Sequence, residues 1–534
     1  MRILFVSLFL LIGILLSCSN KEKFPTAEDP NFVQARENGE LANQAFNRCL
    51  HFVTGWLNYA DPKTGLIPRN LTKDKYIWNA QDAAADNYPF MVLTTALTDR
   101  KMFEGVMLDM LRTEERLTSR VGRLPDTYSF SKQDFQKEEI NMDRIIFGSS
   151  EYVKDGLLPL TEWLGPSPWS ERMLGIVDDI WAQAPYSTSY GNIPSQSHEV
   201  NGEMLQALSR LYWMTAKEQY LTWALRLADY YLFENHPIKN DAKLRLRDHG
   251  CEIISGLAEV YATVHYAAPE KEKVYQEPIH LLFDRILEMG RNEHGMLYNW
   301  FNPVTGEHDD NICDTWGYNY NGFYTIYLID NTESYLQAVQ YVLSNLNQNY
   351  RSYEWEGSSA DGYADAIEGA INLFNREPVP SVADWIDSET LVMWDKQQPD
   401  GVIEGWHGDG NFARTTIMYA LWKTKGLSIK PWREDVKIGA ELNNGFLYIN
   451  ITSEQPWQGK ILFDIPRHQQ YLNLPLDYPR INQFPEWFTV DASGSYFIKM
   501  SGYSDVKSFS GQELAGGLAV EFKENQELRI LVEP

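Results

Sequence analysis

The chain has 534 residues, enough for two or three domains, and its 44% hydrophobic and 22% charged residues are those of a folded globular protein. Its 47 Lys and Arg against 73 Asp and Glu leave a formal charge of −26, which argues against a nucleic-acid partner. Its 17 Trp, 30 Tyr and 24 Phe supply core and, to a lesser extent, surfaces on which sugar rings stack.

The N-terminus, "MRILFVSLFLLIGILLSCSNKEKF", has one Arg, about fifteen apolar residues and then Leu16, Ser17 and Cys18. That run is short for a membrane span and fits a secretory signal over residues 1–17. The Leu-Leu-Ser-Cys ending resembles a bacterial lipobox. It predicts lipidation at Cys18, a polar tether over 18–31, and a location in the cell envelope, with the lipid as the only membrane contact. Cys49, Cys251 and Cys313 remain. Their number and spacing argue against a disulfide framework or a zinc ribbon and leave one Cys251–Cys313 bridge open.

From Phe32 to about residue 430 the apolar period is helical. "FVQARENGELANQAFNRCLHFVTGWLNYA" reads as one long amphipathic helix closed by the turn "DPKTG". Further helices are expected to begin near Trp78, Lys101, Ile140, Ser167, His198, Lys217, Gly250, Glu270, Cys313, Thr332, Ala364, Val382 and Phe412. After Pro431 the pattern alternates around Asn-Gly and Gly turns, which predicts about eight antiparallel strands over 431–534, a small β-sandwich standing off the site.

The helices alternate in character. Odd-numbered ones are amphipathic, whereas even-numbered ones open with polar clusters: "WNAQDAAADNYPF", "INMDRIIFG", "SHEVNGEML", "RDHGCEIIS", "ICDTWGYNYNGF", "SADGYADAIEG" and "EGWHGDGNFART". Consecutive helices paired as hairpins would point all even helices one way and gather their N-termini at one end. This predicts an (α/α)6-type toroid, with the seventh cluster leaving room for seven pairs. Buried singly, such polar starts would be costly; sharing one wet cavity removes that cost.

Two carboxylates across a cavity are what glycoside hydrolysis needs. Asp82 and Asp86, like Glu199 and Glu203, stand at i, i+4 on one helix face, and Glu252 lies three residues after His249. Helix capping is the rival role for each acid taken singly, but it does not account for the Arg, His, Trp and Tyr that accompany them. Asp82, His198, Glu199, Arg247, His249, Asp314, Trp316, Tyr318, Tyr320, Trp406, His407 and Asp409 are therefore the substrate-binding candidates. "WGYNYNGFY" is expected to be a sugar subsite, and Arg247 the seat of a sugar carboxylate at a helix N-terminus. His249 with Glu252, or His407 with Asp409, could ligate a metal, but no HExxH or EF-hand spacing occurs and no metal or other cofactor is expected. A GxSxG elbow is absent.

"GWLNYADPKTGLIPR", "AADNYPF" and "MDR" resemble segments of the six-hairpin glycosidase superfamily, which includes the unsaturated glucuronyl hydrolases. That likeness implies catalytic roles for Asp86 and Asp143, although Asp86 stands in "DNYPF" where those enzymes have His-Asp. "RDHGCEIISGLAEVY", "DTWGYNYNGFY", "SADGYADAIEGAINLFNREPV" and "EGWHGDGNFARTTIMYALWKTKG" look like glycoside hydrolase family 154, which implies a β-glucuronidase acting on uronic-acid-containing oligosaccharides. Glu252 stands as a third catalytic candidate, with Asp361 and Glu404 behind it. A polysaccharide lyase using Tyr318, Tyr320, His249 or Asn319, and a non-catalytic glycan-binding lipoprotein, are the alternatives.

Overall fold

The computed structural model describes residues 24–240 and 242–534; Cys18, the leader, most of the tether and Asp241 lie outside the described residues. The chain is mainly helical, with a separate small antiparallel sheet region. The first helix, α1 (Pro30–Asn58), starts where Asp29 accepts the Asn31 amide at 2.9 Å and Pro30 presets the first turn.

Thirteen longer helical stretches follow among the described residues, apart from short turns such as Pro237–Asn240, Arg467–Gln470 and Gly511–Ala515. They are α2 (Ala80–Asn87 continuing as Tyr88–Thr98), α3 (Arg100–Met102 through Leu108–Thr118), α4 (Met142–Glu151 through Leu158–Leu164), α5 (Pro168–Ala182), α6 (His198–Thr215), α7 (Glu218–Asp229), α8 (Cys251–Ala267), α9 (Pro269–Met289), α10 (Trp316–Asp330), α11 (Glu333–Asn349), α12 (Ala360–Arg376), α13 (Pro380–Trp394) and α14 (Asn411–Thr424). The odd and even sets bury differently. Outer helix α11 buries one stripe, Tyr335, Ala338, Val339, Val342, Leu343 and Leu346, at spacings of three and four. Inner helix α14 buries every residue it has.

Packing follows that division. Each even helix packs on the next even one, and α14 packs back on α2, so the seven inner helices contact one another in a closed order. Each odd helix packs against an even helix beside it in sequence. Where α10 crosses α12, Gly317 faces Gly369, and a Cβ on Gly317 would lie 2.4 Å from the Gly369 Cα. Only two glycines allow that approach.

Eight strands end the chain: β1 (Ser428–Lys430), β2 (Val436–Asn443), β3 (Phe446–Ser453), β4 (Trp457–Leu462), β5 (Ser495–Met500), β6 (Lys507–Ser510), β7 (Leu518–Phe522) and β8 (Gln526–Glu533). They form a three-stranded sheet in the order β1-β4-β7 and a five-stranded one in the order β2-β3-β8-β5-β6. Residues of both sheets build a second core. The stretch "WFTV", residues 487–490, alternates like a strand but belongs to a long connection between β4 and β5. The five-stranded sheet rests on α1, where a Cβ on Gly439 would sit 2.1 Å from the Ala35 carbonyl oxygen.

The β4–β5 connection runs back among the inner helices. Arg480 pairs with Glu162 of α4 at 3.3 Å, Tyr478 donates to Glu259 of α8 at 3.3 Å, and Asp477 binds Arg376 of α12 at 2.7 Å. Arg210 of α6 joins Glu162 and Glu259 at 2.8 and 2.6 Å. Residues 477–484 thus fill the space between the C-terminal halves of the inner helices. Cys49, Cys251 and Cys313 are buried free thiols, so the bridge left open by the sequence is not formed. Among the described residues no helix is long and apolar enough to cross a membrane.

Candidate active site

The starts of the inner helices surround a cavity of about 440 Å³. Eleven carboxylates line it against three Lys or Arg side chains and two histidines. On one wall, Asn79 accepts the Ala83 amide at 3.0 Å and opens α2, whose first turns, Ala80–Asn87, are π-helical and carry Asp82 and Asp86. Such wide turns recur at functional sites because they re-aim side chains. Arg69 donates to Asp82 at 2.5 Å and to Asp74 at 2.7 Å. His407 Nε2 lies 3.7 Å from Asp86 and 3.9 Å from Asp82. Burial pushes Asp86 well above its ordinary range; His407 opposes that shift, whereas Asp155, Asp82 and Asp409 add to it. Burial disfavours charge on His407 as well, yet Asp86 and Asp82 outweigh it and hold the imidazole at about 9.

The facing wall comes from α4, α6 and α8. The π-helical turn Tyr152–Leu157, which follows Glu151, carries Lys154 and Asp155. Lys154 binds Asp155 at 2.7 Å and Glu252 at 2.6 Å, and Gln206 donates to the other oxygen of Glu252 at 2.5 Å. Burial acts to raise Asp155, but Lys154 overrides it and holds this carboxyl below its ordinary value, with Glu151 and Arg414 helping. Glu151 moves the other way, raised by burial and by Glu203, Asp155 and Glu199. Asp155 also accepts the Asn482 amide at 2.8 Å.

The back of the cavity is a buried ionic knot. Arg414 of α14 binds Asp365 and Glu368 of α12, both at 2.7 Å. The Tyr318 hydroxyl donates to the same two acids at 2.9 and 2.7 Å. Asn411 donates to Asp361 at 2.8 Å. Asp361 is pushed well above its ordinary value by burial and then by Asp365 and Asp409, and burial likewise brings Asp409 to about 6. At the mouth Trp406 is 70% exposed, with the Lys73 ammonium 4.8 Å from its ring centre.

Asp82, Asp86, His249, Glu252, Tyr318, Trp406, His407 and Asp409 therefore line one cavity, as does Asp361. Other candidates lie elsewhere. Asp143 is exposed in the first turn of α4, where it accepts the Tyr186 hydroxyl at 2.8 Å; the cavity begins farther along that helix. Arg247 is spent on Glu356 at 2.6 Å and Asp314 at 3.6 Å, and neither it nor Asp314 lines the cavity. Trp316 and Tyr320 are wholly buried, the latter donating to the Gly295 carbonyl, so the aromatic run on α10 is core apart from Tyr318. Its Asn319 amide holds the Leu246 and Thr315 carbonyls. His198 packs edge-on against Tyr231, and Glu199 reaches His249 behind the lining. Glu404 stitches two rim loops together through Leu71 and Thr72.

Glu151, Lys154, Asp155, Asp365, Arg414 and Asn482 were not picked out in the sequence. A signal existed for three of them: Glu151–Asp155 and Asp361–Asp365 repeat the i, i+4 acid spacing of Asp82–Asp86 and Glu199–Glu203 on inner helices. Asn482 had none. It sits in the C-terminal region expected to stand off the site, and it enters because the β4–β5 connection folds back.

No protein-family model and no curated protein sequence matches the chain. Among solved structures it is similar to a family 76 glycoside hydrolase (mannosidase) from Bacteroides thetaiotaomicron, at 12% identity over 71% of this chain and 99% of that one, TM-score 0.41. It is also similar to a possible member of family GH105 from Salmonella enterica (14%, 52% and 81%, TM-score 0.36) and to cellobiose 2-epimerase from Bacillus thermoamylovorans (12%, 52% and 85%, TM-score 0.37). Likenesses this weak say nothing of the reaction, which the cavity's own residues must carry.

Proposed function

We propose that the chain is a glycoside hydrolase in which Asp86 is the general acid and Asp155 the general base. One pairing carries this reading: two carboxyls shifted in opposite directions line a single cavity, Asp86 raised by burial and Asp155 lowered by Lys154 against its burial. A neutral acid can protonate a leaving glycosidic oxygen while an ionised one takes a proton from water. The closed order of inner helices supports an α/α toroid of seven pairs in the six-hairpin manner, with residues 32–430 as the catalytic unit and 431–534 as a β-sandwich. Residues 477–484 block the back of the cavity, which suits an enzyme that takes a chain end. Lipidation at Cys18, a place in the cell envelope and kinship with family 154 belong to the same proposal.

The substrate is an oligosaccharide ending in a uronic acid. His407 and Arg69, which line the cavity beside Trp406 at its mouth, are the groups that receive its carboxylate, in place of Arg247, which does not line it. An acidic cavity would repel that anion if every lining acid were ionised. Burial keeps Asp86, Glu151, Glu203 and Asp361 raised, which lessens the repulsion. A lyase fits less well, since Tyr318 donates its proton to two acids and is held far above the range of a base.

The test is a panel of nitrophenyl glycosides and uronides. Release of nitrophenol from a uronide, with no unsaturated sugar formed, is expected, and His407→Gln should cost more on the glucuronide than on the glucoside. No release across the panel, or a new unsaturated chromophore from a uronate polymer, would refute it.

A further inference from the structure

A single base cannot aim a water molecule, because one hydrogen bond leaves the molecule free to turn about it. The wall around Asp155 holds a second acceptor. Glu151, Asp155 and Glu203 bring one oxygen each within 4.8 Å of one another. Two of the three are engaged. Asp155 Oδ1 accepts from Lys154 at 2.7 Å and from the Asn482 amide at 2.8 Å, while Glu151 hydrogen-bonds to Asp155 and Glu199. Glu203 differs: it is 1% exposed and lines the cavity, and its Oε2 has no hydrogen-bond partner among the described residues. A buried carboxyl oxygen is costly without a donor, and water is the usual donor where protein supplies none.

Helix packing fixes where Glu203 stands. It follows Gly202 on α6, and a Cβ on Gly202 would run into the Glu252 backbone of α8. That close crossing sets Glu203 in the wall that faces Asp86. Burial raises Glu203, with Glu199 adding to the rise, whereas at Asp155 burial is overridden by Lys154. Of the two, Glu203 takes up a proton first as pH falls, and the base role stays with Asp155.

We infer that Glu203 holds the attacking water of the hydrolysis, accepting one of its hydrogens at Oε2 while Asp155 removes the other. The inference rests on the acid and base assigned above. The water oxygen bonds to the anomeric carbon as the glycosidic bond breaks on the opposite face. Asp86 gives its proton to the leaving oxygen, and the proton lost by water ends on Asp155. The hydrogen that remains on the new hydroxyl is the one Glu203 holds.

The experiment measures kcat and KM on the best nitrophenyl uronide for Glu203→Leu, Glu203→Ala, Glu203→Gln and Asp155→Asn, each first checked for native circular dichroism and Tm. Leu and Ala remove the acceptor, whereas Gln keeps an oxygen in its place. Glu203→Leu and Glu203→Ala should lower kcat about tenfold or more with KM little changed, because the water loses its aim while the sugar does not. Glu203→Gln should recover part of that loss. Wild-type kcat in either folded variant, a loss that falls on KM instead, or a Glu203→Gln chain no more active than the other two overturns the inference. Near-normal turnover in Asp155→Asn refutes the acid–base reading itself, so the two failures are read separately.

Discussion

Arg247 donates to Glu356 across 2.6 Å, tying the entrance of α8 to the strap that precedes α12. Both ends of this tie are unusual in backbone: Asp248, next to Arg247, has φ 45°, and Glu356 has φ 47°. Non-glycine residues there are held by their surroundings. Arg247→Ala should release the strap, costing about 1 kcal/mol of stability as a partly exposed pair does. It should also lower kcat/KM by a similar factor on glucuronide and glucoside. A selective loss on the glucuronide would return Arg247 to the role of carboxylate reader.

Asp314 lies behind that tie, and burial raises its carboxyl from 3.8 to about 7, with Asp365 adding to the rise and Arg247 opposing it. An acid whose folded value is raised contributes stability that is full below about pH 4 and lost as pH climbs through 7. The loss is at most about 4 kcal/mol at 1.36 kcal/mol per unit. Asp314→Asn should flatten that decline in urea denaturation measured from pH 4 to 8. A mutant with the wild-type slope would show that Asp314 titrates normally.

Arg414, 3% exposed, holds Asp365, Glu368 and Asn482 together. Arg414→Met leaves two buried acids without their cation and should cost about 3–5 kcal/mol, the usual result of removing one partner of a buried pair. Urea denaturation measures it. A change below about 1 kcal/mol would mean that water reaches those acids.

The helices were legible because their apolar spacing is helical and their first turns are capped: His198 opens α6 where expected, and Ser167 caps α5 one residue before it begins. The convergence of polar helix starts on one cavity was legible in the same way, since only a shared pocket explains so many ionisable groups at the ends of core helices. Side-chain direction was not. Tyr318 and Tyr320 are two residues apart in one sequence run, but that is about 200° around a helix, so one meets the cavity and the other the core. Asp143 misled because a first-turn acid can face either the cavity or the outer loops. Asn482 was out of reach because nothing local marks a connection between strands as the filler of a helical ring.

The central claim is that Asp86 and Asp155 act as acid and base on one glycosidic bond. The most direct measurement is kcat on the best nitrophenyl uronide for the wild type, Asp86→Asn, Asp155→Asn and Asp143→Asn. The account predicts a fall of about 10²-fold or more for each of the first two variants, with Asp143→Asn unchanged. Near-normal turnover in Asp86→Asn and Asp155→Asn, or a collapse in Asp143→Asn alone, would contradict it.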